Sequence, residues 1–179
     1  MNCIPERFTT IINIFGGPGV GKSTAAAALY VAMKKRGISC EYVPEFAKEL
    51  SRKGDYSTLD NQFYVSAVQY NRILDLIGKV YYIITDAPVL QGHVYDRQKL
   101  NGFYHVLNDI QYQYHTLNIL LQRDQEQEYD NEGRHHTESE AREIDIRIEA
   151  LLQEAGVPFA RISANDTDVL INYVFSEVE

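Results

Sequence analysis

Thr10-Ile11-Ile12-Asn13-Ile14-Phe15-Gly16-Gly17-Pro18-Gly19-Val20-Gly21-Lys22-Ser23-Thr24 is the stretch that decides the fold. Residues 10–15 form an apolar run of strand length, and residues 22–36 carry a helical pattern. The residues between them fit G-x-x-x-x-G-K-[ST], the spacing of a phosphate-binding loop set between a strand and a helix. Glycines let backbone N–H groups turn inward around a phosphate without Cβ clashes, and the helix N-terminus adds partial positive charge. Gly17, Gly19, Val20, Gly21, Lys22, Ser23 and Thr24 are therefore candidates for holding ATP. Lys22 is placed to reach the β- and γ-phosphates, and the Ser23 hydroxyl to ligate Mg²⁺.

Working outward, strand-like and helix-like segments alternate, which predicts an α/β fold with a mainly parallel sheet. The strands are expected at about 10–15, 39–43, 80–85, 117–121 and 158–162. Lys34-Lys35-Arg36-Gly37 stops the first helix. Residues 58–77 read as one longer helix, with Leu59, Phe63, Tyr70, Leu74 and Ile77 as its core face and Gln62, Gln69 and Arg72 on another. Residues 91–113 hold one or two short helices. Thr137-Glu138-Ser139-Glu140 fits a capping box, followed by the apolar stripe Ala141, Ile144, Ile148, Leu151, Leu152 and Ala155. A last helix is expected over 166–178.

In an open parallel sheet, ligands bind at the carboxyl ends of the strands. Glu45 follows the second strand, where it could take a proton from an attacking hydroxyl or bind a substrate sugar. Asp86 ends the third strand, in the manner of an acidic residue that serves Mg²⁺ beside a phosphate loop. Arg123 follows the fourth strand, and with Arg134 it brackets a polar segment of about 123–138 that reads as a mobile lid. Arginines there would neutralise charge on a transferring phosphoryl group.

The bulk numbers narrow the class. At 179 residues the chain suits one domain with a substantial core. A formal net charge of −8 disfavours broad adhesion to nucleic acid without excluding a local basic groove. Cys3 and Cys40 make neither a disulfide framework nor a zinc site, and no histidine spacing fits a metal. No signal peptide or membrane span is evident, so the cytoplasm is the expected location. Oligomeric state stays open, a homodimer included.

The chain resembles the P-loop kinases of the nucleoside and nucleotide kinase group, above all NadR-type nicotinamide riboside kinase domains and related small phage ATPase/kinase proteins. The resemblance spans about 11–175. It rests on residues 16–24, Pro44-Glu45-Phe46-Ala47-Lys48-Glu49, Gln69, Asp86, and Asp130-Asn131-Glu132-Gly133-Arg134. It implies a three-layer sandwich with a five-stranded sheet and a lid, ATP and Mg²⁺ as cofactors, and a nucleoside-like or nucleotide acceptor. Glu45 and Asp86 would serve the substrate hydroxyl and Mg²⁺. Gln69, with Gln62 and Arg72 on its helix face, would bind the acceptor. Arg134 would be a lid arginine, and Asn165 would lie near adenine. A phage origin would place the protein in the host cytoplasm. The adenylyltransferase domain that accompanies NadR-type kinases is not expected here. An ATP-driven switch and a kinase of modified bases in DNA are the competing readings.

Overall fold

The computed structural model describes residues 8–100, 102–124 and 137–178. Strand β1, Thr10–Phe15, has five consecutive buried residues, the pattern of a strand covered on both faces. It pairs in parallel with β3 (Tyr82–Thr85) on one side and β4 (His115–Gln122) on the other. The edges are β2 (Cys40–Val43) and β5 (Ala160–Ser163), giving the fully parallel order β2-β3-β1-β4-β5.

Strand alternation sends side chains to two separate cores. Ile11 and Phe15 point to one, with Ile83, Leu120 and residues of α4 (Gln62–Leu74), α6 (Phe103–Gln113) and α7 (Glu138–Glu154). Ile12 and Ile14 point to the other, with Ile84, Ile119 and residues of α1 (Lys22–Lys35) and α8 (Thr167–Val178). The result is the expected three-layer sandwich with a five-stranded sheet. Thr137 closes its capping box, and the stripe from Ala141 to Ala155 is buried throughout.

The single helix expected over 58–77 is instead two. After α2 (Phe46–Lys53) comes α3 (Tyr56–Leu59), then α4 starts afresh. The break has a local cause: Asn61 caps α4 by accepting from the Tyr64 amide at 3.1 Å. The expected core face holds in part: Tyr70 and Ile77 pack against the first core. Phe63 is 57% exposed and Leu74 39%, whereas Gln62, Val65, Ser66, Gln69 and Ile73 are buried. The buried side of α4 faces a strand-end recess as well as the core, so polar residues occupy it. A 3₁₀ turn at Val89–Gln91 leads into residues 91–113, which hold α5 (Gly92–Tyr95) and α6. Among the described residues no helix is long and apolar enough to cross a membrane.

A polar knot interrupts the first core. The Asn13 amide donates to Asn118 Oδ1 at 2.9 Å, Gln111 Nε2 donates to the same oxygen at 3.0 Å, and Asn118 Nδ2 donates to the Pro158 carbonyl at 3.1 Å. Orphaned buried donors cost about 1–3 kcal/mol each. Asn118→Ala should therefore lower stability by about 2–3 kcal/mol in urea unfolding. An unchanged midpoint would show the knot to be energetically idle.

Candidate active site

The loop joining β1 to α1 is gripped at its first two residues. Gln91 accepts from the Gly16 amide at 3.3 Å and donates to the Gly16 carbonyl at 3.2 Å. Lys22 Nζ donates to the carbonyls of Gly16 and Gly17 at 2.7 and 3.0 Å. Asp145, from α7, accepts from the Gly17 amide at 2.7 Å. A Cβ on Gly17 would lie 2.3 Å from Asp145 Oδ1 and 2.9 Å from the Ala141 carbonyl, so only glycine fits. Gly21 caps α1 with φ 98°, a left-handed conformation that suits glycine, and no side chain caps the helix. The N–H groups of that first turn are thus presented for an anion.

Lys22 is buried, and burial pulls its pKa below the ordinary lysine value. The charges of Glu45, Asp86 and Asp145 work against that drop, while that of Lys48 adds to it. Val20 is fully buried in the second core, Gly19 has φ 77°, and Thr24 is exposed on the first turn of α1.

At the tip of β3, Asp86 is 1% exposed. Its Oδ2 accepts from the Ser23 hydroxyl, while Oδ1 is buried with no hydrogen-bond partner. Lys48 Nζ donates to Ser23 Oγ and lies 3.6 Å from Asp86 Oδ2 and 3.8 Å from Glu45 Oε2. Tyr42 completes the cluster: burial first, then the charge and hydrogen bond of Asp86, hold its phenol well above the ordinary tyrosine range. Among the described residues no group of three His, Cys, Asp or Glu side chains could hold a metal alone. One hydroxyl, one carboxylate with a free buried oxygen, and phosphate oxygens from a nucleotide fit Mg²⁺, which keeps several waters and few protein ligands.

Beside this cluster opens a recess lined by Glu45, Gln62, Ser66, Gln69, Gln91 and Tyr95, with Val65, Ala87, Pro88 and Val89 supplying apolar wall. Gln91 thus touches both the phosphate loop and the recess. Among the described lining residues Glu45 is the one charged side chain.

The remaining candidates are placed as follows. Gln69 ties the β2–α2 junction: it accepts from the Phe46 amide at 3.0 Å and donates to Thr85 Oγ1 at 3.3 Å. Gln62 lines the recess and donates to the Leu59 carbonyl at 2.7 Å. Arg72 is not on the recess wall; it pairs with both carboxylate oxygens of Glu49 at 2.7 and 3.1 Å and stacks over Phe46. Arg123 is clamped to the phosphate loop, donating to Asp145 Oδ2 at 3.0 Å and the Pro18 carbonyl at 2.7 Å. Asn165 is exposed after β5 and donates to Asp124 at 2.8 Å. Arg134 and most of the expected lid lie outside the described residues. Asp145, Gln91, Ser66 and Tyr95 were not marked by the sequence. Asp145 sits among charged neighbours on α7, and only its spacing of four from Ala141 on the stripe hints that it faces inward.

The AAA-domain family model matches residues 11–168. No curated protein matches the sequence. The fold is shared with thymidylate kinase from Ehrlichia chaffeensis, with a TM-score of 0.64 at 13% identity over 94% of this chain and 99% of that one. That likeness is one of architecture: an α/β fold built on a parallel sheet.

Removing the Asp145 carboxylate takes the partner from the Gly17 amide and one of its clamps from Arg123, which keeps the Pro18 carbonyl. Asp145→Ala should weaken binding of a fluorescent ATP analogue by about tenfold, roughly one charge-assisted hydrogen bond. Unaltered affinity would mean that the loop holds its shape without α7.

Proposed function

The chain belongs to the AAA-domain family, and on that footing we propose that it is an ATP- and Mg²⁺-dependent phosphotransferase acting on a hydroxyl of a nucleoside-like acceptor. The observation that carries this reading is the recess beside the phosphate loop, sharing Gln91 with it and bordered by Glu45. A second-substrate site contiguous with the phosphates is what a kinase needs and an ATPase does not. The uncharged lining beyond Glu45 favours an acceptor without a phosphate of its own, hence nucleoside-like rather than nucleotide.

The chemistry divides among the residues in place. Backbone N–H groups of the loop and the first turn of α1 hold the β- and γ-phosphates, and Lys22 turns from the loop carbonyls to their oxygens. Ser23 and Asp86 would hold Mg²⁺, which when bound neutralises charge on the phosphate oxygens. Glu45 receives the acceptor's hydroxyl proton as the oxygen bonds to the γ-phosphorus and the bridging bond to ADP breaks. Arg123 keeps the loop in shape through Asp145 and Pro18. Arg134 keeps its role as a lid arginine by resemblance alone.

An ATP-driven switch is the second reading, favoured by the AAA description of the family. Labelled ATP incubated with Mg²⁺ and a panel of nucleosides, nucleoside monophosphates and modified DNA separates the two. A labelled nucleoside is the expected result. ATP consumption with no acceptor labelled sinks the kinase reading, and preferential labelling of monophosphates or DNA overturns the acceptor assignment. Lys22→Ala should cut transfer by at least about 100-fold. Glu45→Gln should lower kcat by about 100-fold while leaving ATP affinity within about twofold.

A further inference from the structure

Lys48 has a position that the phosphotransfer reading does not use. It lies on α2, three residues after Glu45, and its ammonium reaches across to the first turn of α1. There it meets Ser23 Oγ and Asp86 Oδ2, the two groups assigned to Mg²⁺, with Glu45 Oε2 at 3.8 Å. The Ser23 hydroxyl gives its hydrogen to Asp86 and accepts from Lys48 through its lone pairs, the same electrons a metal ion would take.

A divalent cation and an ammonium cannot share those oxygens, because two like charges at that separation repel strongly beside the buried Asp86 carboxylate. The Lys48 side chain is 45% exposed and rides on a flexible four-carbon stem, so it has a route out. It also has a second partner, since Glu45 and Lys48 share one face of α2.

Resting on the Mg²⁺ assignment above, we infer that Lys48 is a built-in counter-cation of the metal site. It neutralises buried Asp86 when no metal is present and must be displaced for Mg²⁺ to enter. Displacement swings it from Asp86 and Ser23 to Glu45. The metal alone is then poorly competitive, and Mg²⁺ enters efficiently only in company with the phosphates of a nucleotide. Lys48 is in these terms a positioning residue, coupling metal entry to nucleotide entry and moving the Glu45 carboxylate's partner as it does so.

Mn²⁺ serves as the probe, with free Mn²⁺ counted by electron paramagnetic resonance in the presence and absence of ATP. Lys48→Met and Lys48→Gln should each bind Mn²⁺ alone at least tenfold more tightly than the unmodified protein, and Lys48→Arg should stay close to it. With saturating ATP the four proteins should fall within about threefold of one another. Asp86→Asn added to Lys48→Met should remove the gain. Equal Mn²⁺ affinities without ATP, in proteins that all bind Mn²⁺ with ATP, overturn the role of Lys48 alone. A gain that survives Asp86→Asn overturns it as well. If none of the proteins binds Mn²⁺ even with ATP, the metal assignment itself falls, and the inference with it.

Discussion

Two peptide units, those of Gly16 and Gly17, carry the constraint on which the site depends. Three side chains from three different elements bond them: Gln91 beyond β3, Lys22 at the start of α1, and Asp145 in α7. The grip is so close that no Cβ fits at Gly17. Because the loop is fixed from outside itself, the direction of α1, the place of Ser23 and the mouth of the recess are fixed with it. A loop that relied on its own glycines would be loose, since glycine has the most backbone freedom to lose.

Charge is arranged to match. Lys22 is buried and inclined to lose its proton, yet three carboxylates, Glu45, Asp86 and Asp145, stand near enough to oppose that. Asp86 in turn is nine-tenths or more buried and depends on Ser23, Tyr42 and Lys48. A buried carboxylate with one unpartnered oxygen is costly in a resting protein. Its position at a strand tip beside a helix N-terminus without a side-chain cap fits a place prepared for charged ligands rather than for packing.

The strand, loop and helix of residues 10–35 were legible because apolar periodicity, glycine placement and the Lys22-Ser23 pair all point the same way. The sheet followed from alternation, and the stripe on α7 from its spacing. The α3–α4 region was misread for a physical reason. Tyr70 and Ile77 pack on the core as periodicity suggests, but Phe63 and Leu74 sit on the solvent side while Gln62, Ser66 and Gln69 are buried around the recess, so hydrophobic periodicity marked the face only in part. Arg72 has the polarity of a ligand-binding residue, but its bidentate partner Glu49 is 23 positions away and invisible to local pattern. Asp145 escaped notice for the converse reason: a carboxylate on a highly charged helix looks solvated, and only the fold brings it to Gly17.

The clamp of Arg72 on Glu49 and Phe46, together with Gln69 on the Phe46 amide, welds α2 to α4. Glu45 and Lys48 ride at the start of α2, while Gln62 and Ser66 shape the recess from α4. Glu45 and the recess-lining Gln62 and Ser66 thus sit on separate helices that these bonds tie together. In the recess wall, Gly92 is packed so tightly that a Cβ would sit on Ser66 Oγ. The volume of the recess is therefore set by subtraction, at a pair of small residues on two different helices. Exchanges at that pair would re-cut the recess from α4 and α5 while leaving α2, the helix that follows Glu45, in its register.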